Sequence, residues 1–151
     1  MPKLDLDAIP QTNATGYPPP HDEAVKERWV RRLSPACGLT ELGAAHVVLK
    51  PGAWSSQRHW HAEEDELVVI LQGEAVLVED EGETLLSAGD IAAWPKGVRK
   101  GHVLQNRSDR DCVLLGFSAG NTAADWGEYS DIDMKFVRAT GFSRKDGSAF
   151  D

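Results

Sequence analysis

Three histidines and one carboxylate are the residues of this chain best suited to chemistry. His59 and His61 flank Trp60, Glu66 follows five residues later, and His102 lies about forty residues on. In an extended segment alternate side chains share a face, so His59 and His61 point the same way. Imidazole and carboxylate together are the donor set of iron, manganese, zinc, nickel or copper. The chain has 5 histidines, so three of them falling into one pattern predicts a site for about one divalent ion. The plainer alternative for an isolated His-x-His pair is two half-exposed strand histidines with ordinary hydrogen bonds. Of the other two, His46 between Ala45 and Val47 reads as structural, and His21 after a proline run reads as surface or interface. Glu63, Glu64 and Asp65 compete with Glu66 and are read as solvated turn residues. Among other constellations, the chain has no GxSxG elbow, no phosphate-binding loop and no HExxH.

Short strands must position these residues. From Leu39 the chain alternates and is punctuated by turns at Pro51-Gly52, Gln72-Gly73, Asp80–Gly82 and Pro95. AAHVVLK, WSSQRHWH, ELVVIL, EAVLVED, the run from Glu83 to Leu86, IAAW, GHVLQN and DCVLLGFS are the strand candidates, which reads as an all-β sandwich or barrel. Residues 1–38 form an N-terminal arm, with a short edge strand in LDLDAI and a short helix over His21–Leu33 suggested by the stripe Val25, Trp29, Leu33. The barrel spans 39–118. The tail, 119–151, loses the strand signal but keeps Tyr129, Ile132, Met134, Phe136 and Val137 as anchors for docking.

At 151 residues the chain has the length of one domain that buries its own core. Its 16 basic and 24 acidic residues give a net charge of −8, which argues against a nucleic-acid surface. Cys37 and Cys112 are isolated, which fits a reducing compartment better than a disulfide scaffold. Neither a leader-like segment nor an apolar run of membrane length is seen, so the expectation is a cytoplasmic protein with no membrane partner.

The spacing of these residues resembles the two motifs of the cupin superfamily. The first, G-x5-HxH-x3–4-E-x6-G, corresponds to Gly52, His59, His61, Glu66 and Gly73, with six residues rather than five between Gly52 and His59. The second, G-x5-PxG-x2-H-x3-N, corresponds to Gly89, Pro95, Gly97, His102 and Asn106, with two extra residues before the histidine. The strict register would place Lys100 there. An insertion of two keeps strand parity, and a lysine ammonium has no free lone pair, so His102 is the expected ligand. The resemblance implies a double-stranded β-helix, or jelly roll, and a homodimer. The arm supports pairing, since Leu4, Leu6, Ile9, Val25 and Trp29 need apolar cover.

It also implies a metal held by His59, His61, Glu66 and His102 and a small organic ligand. Residues sharing the ligands' faces, Gln57, Val68, Ile70 and Leu104, with Trp94 at the rim, are the expected pocket wall. Arg58, Arg99 and Lys100 are candidates to receive an anion at its mouth, or are solvated charges. Two functions follow as expectations: a metal-dependent oxygenase, isomerase or lyase, or a non-enzymatic module that binds or senses a small molecule.

Overall fold

A computed structural model describes residues 3–151. The barrel is built from β1 (Gln11–Thr12), β2 (Arg28–Arg32), β3 (Gly43–Leu49), β4 (Glu64–Gln72), β5 (Glu74–Glu79), β6 (Gly82–Ser87), β7 (Ile91–Trp94), β8 (Val103–Gln105) and β9 (Cys112–Gly120). These make an antiparallel six-stranded sheet in the order β1-β2-β3-β9-β4-β7 and a three-stranded sheet β6-β5-β8. The two face each other across one core, formed by Val47, Leu49, Ile70, Leu77, Leu104 and Leu114 with their smaller neighbours. Period-2 alternation explains the packing. In β4, Ile70 faces inward and is 1% exposed, while its neighbour Leu71 is 47% exposed. Burying each such inward side chain contributes about 1.5–3 kcal/mol. Gly73 turns β4 into β5 with φ +76, and a side chain there would collide with the backbone at Asp111–Cys112.

The arm departs from expectation. Leu6–Ala8 is a 3-10 turn capped by Asp5, not an edge strand, and the short β1 lies just after it. The helix expected over 21–33 does not form: Glu23–Val25 is a single 3-10 turn, and Arg28–Arg32 pairs with Ala45–Leu49 as β2. Pairing along the edge of a preformed sheet satisfies this backbone and lets Val30 reach the core, which outweighs a three-residue helical stripe. Val25 is completely buried within the chain itself, so it needs no partner for cover. Helix α1 (Leu33–Cys37) follows and ends at Gly38 with φ 69, an αL cap.

The tail is more ordered than its sequence suggests. β10 (Trp126–Glu128), β11 (Lys135–Val137) and β12 (Gly141–Ser143) form a third antiparallel sheet. Its buried residues, Tyr129, Met134 and Phe136, make a second apolar cluster with Tyr17, Ile132, Phe142 and Phe150. This sheet lies across the end of the barrel that carries the histidines, where His59 makes an isolated bridge to Tyr129.

Candidate metal centre

Glu66 comes from the start of β4, opposite Trp94 of β7 and Ser118 of β9. His59 and His61 come from the segment 54–62, which is not the continuous strand expected from WSSQRHWH. It crosses between sheets and takes only isolated bridges, Trp54 to Gln105, His59 to His102 and His59 to Tyr129. The bridges at His59 keep the backbone extended locally, so the alternation still holds over the two positions that need it. The two Nε2 atoms approach to 3.0 Å.

Donor atoms of His59, His61 and Glu66 all lie within 4.8 Å of one another. His102 attaches to this set through Glu66, its Nε2 lying 2.7 Å from Oε2. His61 Nε2 lies 3.4 Å from Glu66 Oε1. The indole of Trp94 stacks on the His102 ring at 3.8 Å between centroids and 6° between planes, and its Nε1 donates to Glu79 at 2.8 Å. Lys100 points elsewhere, to Glu81.

The acceptors behind the rings assign their protons. His59 Nδ1 lies 2.8 Å from the carbonyl of Gln57, and His61 Nδ1 lies 2.6 Å from Asp125 Oδ2. Each Nδ1 therefore carries a proton and donates it, so Nε2 is the nitrogen each ring turns to the centre. Two Nε2 lone pairs at 3.0 Å repel unless a proton or a cation sits between them. Glu66 Oε2 and His102 Nδ1 are buried with no aligned hydrogen-bond partner among the described residues. The donor set and its unsatisfied lone pairs fit a divalent metal ion.

Electrostatics point the same way. Burial pushes the pKa of His59 down to about 4, against the pull of Glu66. Burial also penalises a charge on His61, but hydrogen bonds to Glu66 and Asp125 outweigh it and hold that ring up at about 9. Burial alone would favour neutral Glu66, yet the close approach of His102 and His61 holds its carboxyl well below the usual range. The site thus offers one carboxylate and one neutral imidazole, with a proton on His61 where a metal would otherwise bring positive charge.

Several hollows border the centre. A cavity of about 510 Å³ opens on Glu66, Val68 and Ser118, with Arg32, Thr122 and Arg138 among its walls. Gly116 leaves open space beside it. A cleft of about 210 Å³ opens on His59 and His61, against Tyr129, Phe136, Arg138 and Phe142 of the tail. A smaller hollow of about 80 Å³ lies between His61, Glu66, Trp94, Lys100 and His102. Of the expected wall, Val68 faces the first and Trp94 the last. Ile70 and Leu104 lie in the core. The Gln57 side chain is turned to the arm, where Nε2 donates to the carbonyl of His21 at 2.9 Å. Arg58 is held by Asp131 and Asp80.

Two further residues escape the sequence reading. Glu64 is not a solvated turn acid: it is 4% exposed, accepting from Thr122 Oγ1 at 2.6 Å and Arg138 Nη2 at 3.2 Å. Asp125, with no exposure at all, is the partner of His61. Both depend on the tail folding back over the barrel, and no local signal sets Asp125 apart from the other acidic residues.

The family model for the cupin domain matches residues 45–117. The crystal structure of a sugar phosphate isomerase from a cupin superfamily of Silicibacter pomeroyi is similar with a TM-score of 0.92 and 42% identity, over 99% of this chain and 97% of that one. A putative sugar phosphate isomerase of Acidithiobacillus ferrooxidans gives 0.70 at 24% identity, over 77% of this chain and 74% of that one. The polyketide cyclase RemF of Streptomyces resistomycificus gives 0.64 at 20% identity, over 79% of each. At such identity the last two speak for the fold alone. A search of curated proteins gave no significant match.

Proposed function

This chain belongs to the cupin superfamily, and we propose that within it the chain is a metal-dependent isomerase of a phosphorylated sugar. The observation that carries the reading is the convergence of His59, His61 and Glu66 within 4.8 Å of one another, with Glu66 on the wall of a polar cavity of about 510 Å³. That volume suits a small sugar phosphate. The name of the 42%-identical structure supports this substrate class.

His59, His61, Glu66 and His102 would hold one divalent ion of iron, manganese, zinc, nickel or copper. Bound there, such an ion supplies Lewis acidity to a carbonyl or hydroxyl oxygen of the substrate. The remaining work belongs to the chain. His59 presents a neutral imidazole, and Glu66 an ionised carboxylate. Trp94 stacks on His102 and fixes the plane of its ring. Tyr129, whose hydroxyl burial holds in the protonated form, packs beside His59 on the wall of the second cleft. Arg32, without a carboxylate partner among the described residues, and the half-exposed Arg138 offer guanidinium groups to an anion.

The test is elemental analysis of protein purified without chelator, followed by aldose–ketose interconversion assays on a panel of sugar phosphates. Conversion of one member that is lost on chelation and restored by one metal supports the reading. Tight binding without conversion favours a sensing or binding module instead, and a protein that takes up no metal overturns the proposal.

A further inference from the structure

Asp125 lies outside residues 45–117, the part that matches the cupin family model. It sits between the 3-10 turn Thr122–Ala124 and β10, in the sheet that covers the barrel end. Each of its carboxylate oxygens has one donor. Oδ1 accepts the Glu63 backbone N–H at 2.9 Å, and Oδ2 accepts His61 Nδ1–H at 2.6 Å. Its carbonyl takes the Arg138 N–H at 2.9 Å, which ties it to β11.

We infer that Asp125 is a positioning residue for His61: the tail reaches into the metal centre and, by accepting Nδ1–H, obliges His61 to present Nε2 to the metal. The inference rests on the metal reading proposed above, but it concerns a residue beyond the ligand set. A ligating histidine whose second nitrogen is held by a carboxylate has its tautomer and ring plane set in advance.

The chemistry of an asparagine at this position makes the inference sharp. Asn has one acceptor oxygen where Asp has two. The Glu63 N–H is a backbone donor and cannot change, so it keeps the oxygen. The amide NH2 then faces His61 Nδ1, which must become an acceptor, and the single ring proton sits on Nε2; a metal could take Nε2 only by breaking the new hydrogen bond or leaving an imidazolate, whereas the native ring keeps Nδ1–H and is left neutral. Asp125→Ala removes the carboxylate without imposing the wrong tautomer. A purely structural role ranks zinc affinity native, Asn, Ala, because Asn fills the space. The positioning role ranks it native, Ala, Asn.

The experiment uses the full chain and zinc alone, with affinity from chelator competition and the protonation of His61 nitrogens from 15N NMR. Asp125→Asn is expected to bind zinc about 10–100-fold more weakly than the native protein, with Nδ1 of His61 bare and Nδ1 of His59 still protonated. Asp125→Ala is expected to fall between. Equal zinc affinity in Asp125→Asn and the native protein, or Ala weaker than Asn, overturns the inference and leaves the metal reading standing. A native protein that binds no zinc overturns both. Should Asp125→Asn fail to fold, Asp125→Ala is read by both measurements: affinity about tenfold weaker with the His61 proton shared between Nδ1 and Nε2 supports the inference, and native affinity, or a loss with Nδ1 of His61 still fully protonated, overturns it.

Discussion

Glu64 and Glu66 lie two residues apart on one strand, yet their surroundings assign them different work, and substituting each by glutamine should separate the two. Glu66 faces His61 at 3.4 Å and His102 at 2.7 Å and is the only carboxylate of the proposed ligand set. Losing a group that merely orients a ligand costs metal affinity about 10–100-fold. Losing the anionic ligand itself should therefore cost more than about 100-fold, or about 2.8 kcal/mol at 1.4 kcal/mol per tenfold.

Glu64 instead binds Thr122 at 2.6 Å and Arg138 at 3.2 Å, joining the barrel to the tail. Hydrogen bonds to a charged group contribute about 1.5–3 kcal/mol. Arg138 is half exposed, so its share is discounted for solvent, and a total near 2 kcal/mol is expected for Glu64→Gln. At about 2–4 °C per kcal/mol for a domain of this size, Tm should fall by about 4–8 °C. Zinc affinity should change less than about tenfold, the lower bound for loss of a group that orients a ligand. Thermal unfolding of the metal-free variants and chelator competition for zinc read the two quantities separately. Comparable losses of zinc affinity in both variants would refute the assignment of Glu66 as the carboxylate ligand.

His102→Ala should weaken zinc binding at least about tenfold, whereas Lys100→Ala, which frees an exposed pair with Glu81, should leave it unchanged; the reverse result in the same assay would show the second motif is misaligned. Because hydrogen bonds hold His61 at about 9, the ring is protonated at pH 7, and zinc binding should release a proton and weaken as pH falls; calorimetry in buffers of different ionisation enthalpy measures it, and zinc uptake with no proton release would contradict it. Cys37 is exposed, while Cys112 is fully buried with its thiol pushed up to about 11 by burial, so a thiol reagent should titrate one group quickly and the second only on unfolding. The outer face of the six-stranded sheet exposes Leu67, Leu71 and Ile91, and light scattering at micromolar concentration is expected to report a homodimer rather than a monomer.

The barrel strands and the ligand candidates were legible because both depend on local order along the chain. Alternation in ELVVIL, EAVLVE and CVLLGF sorts inward from outward side chains within a few residues, and the turn glycines mark where strands reverse. The pairing of His59 with His61 needed only local extension, so it survives although 54–62 forms no continuous strand. Wherever a residue's role is set by what arrives from far along the chain, the sequence was silent. Residues 21–33 carry a weak helical stripe, and the waiting edge of β3 makes Arg28–Arg32 a strand. Glu64 resembles its solvated neighbours until Thr122 and Arg138 fold over it. Asp125 is one acid among 24 acidic residues, and only the return of the tail, 64 positions after His61, brings it to the ring it holds. Periodicity determines which face a side chain takes, because it is a property of the backbone's own repeat. Tertiary structure decides what lies opposite that face, because long-range contacts leave no period in the chain.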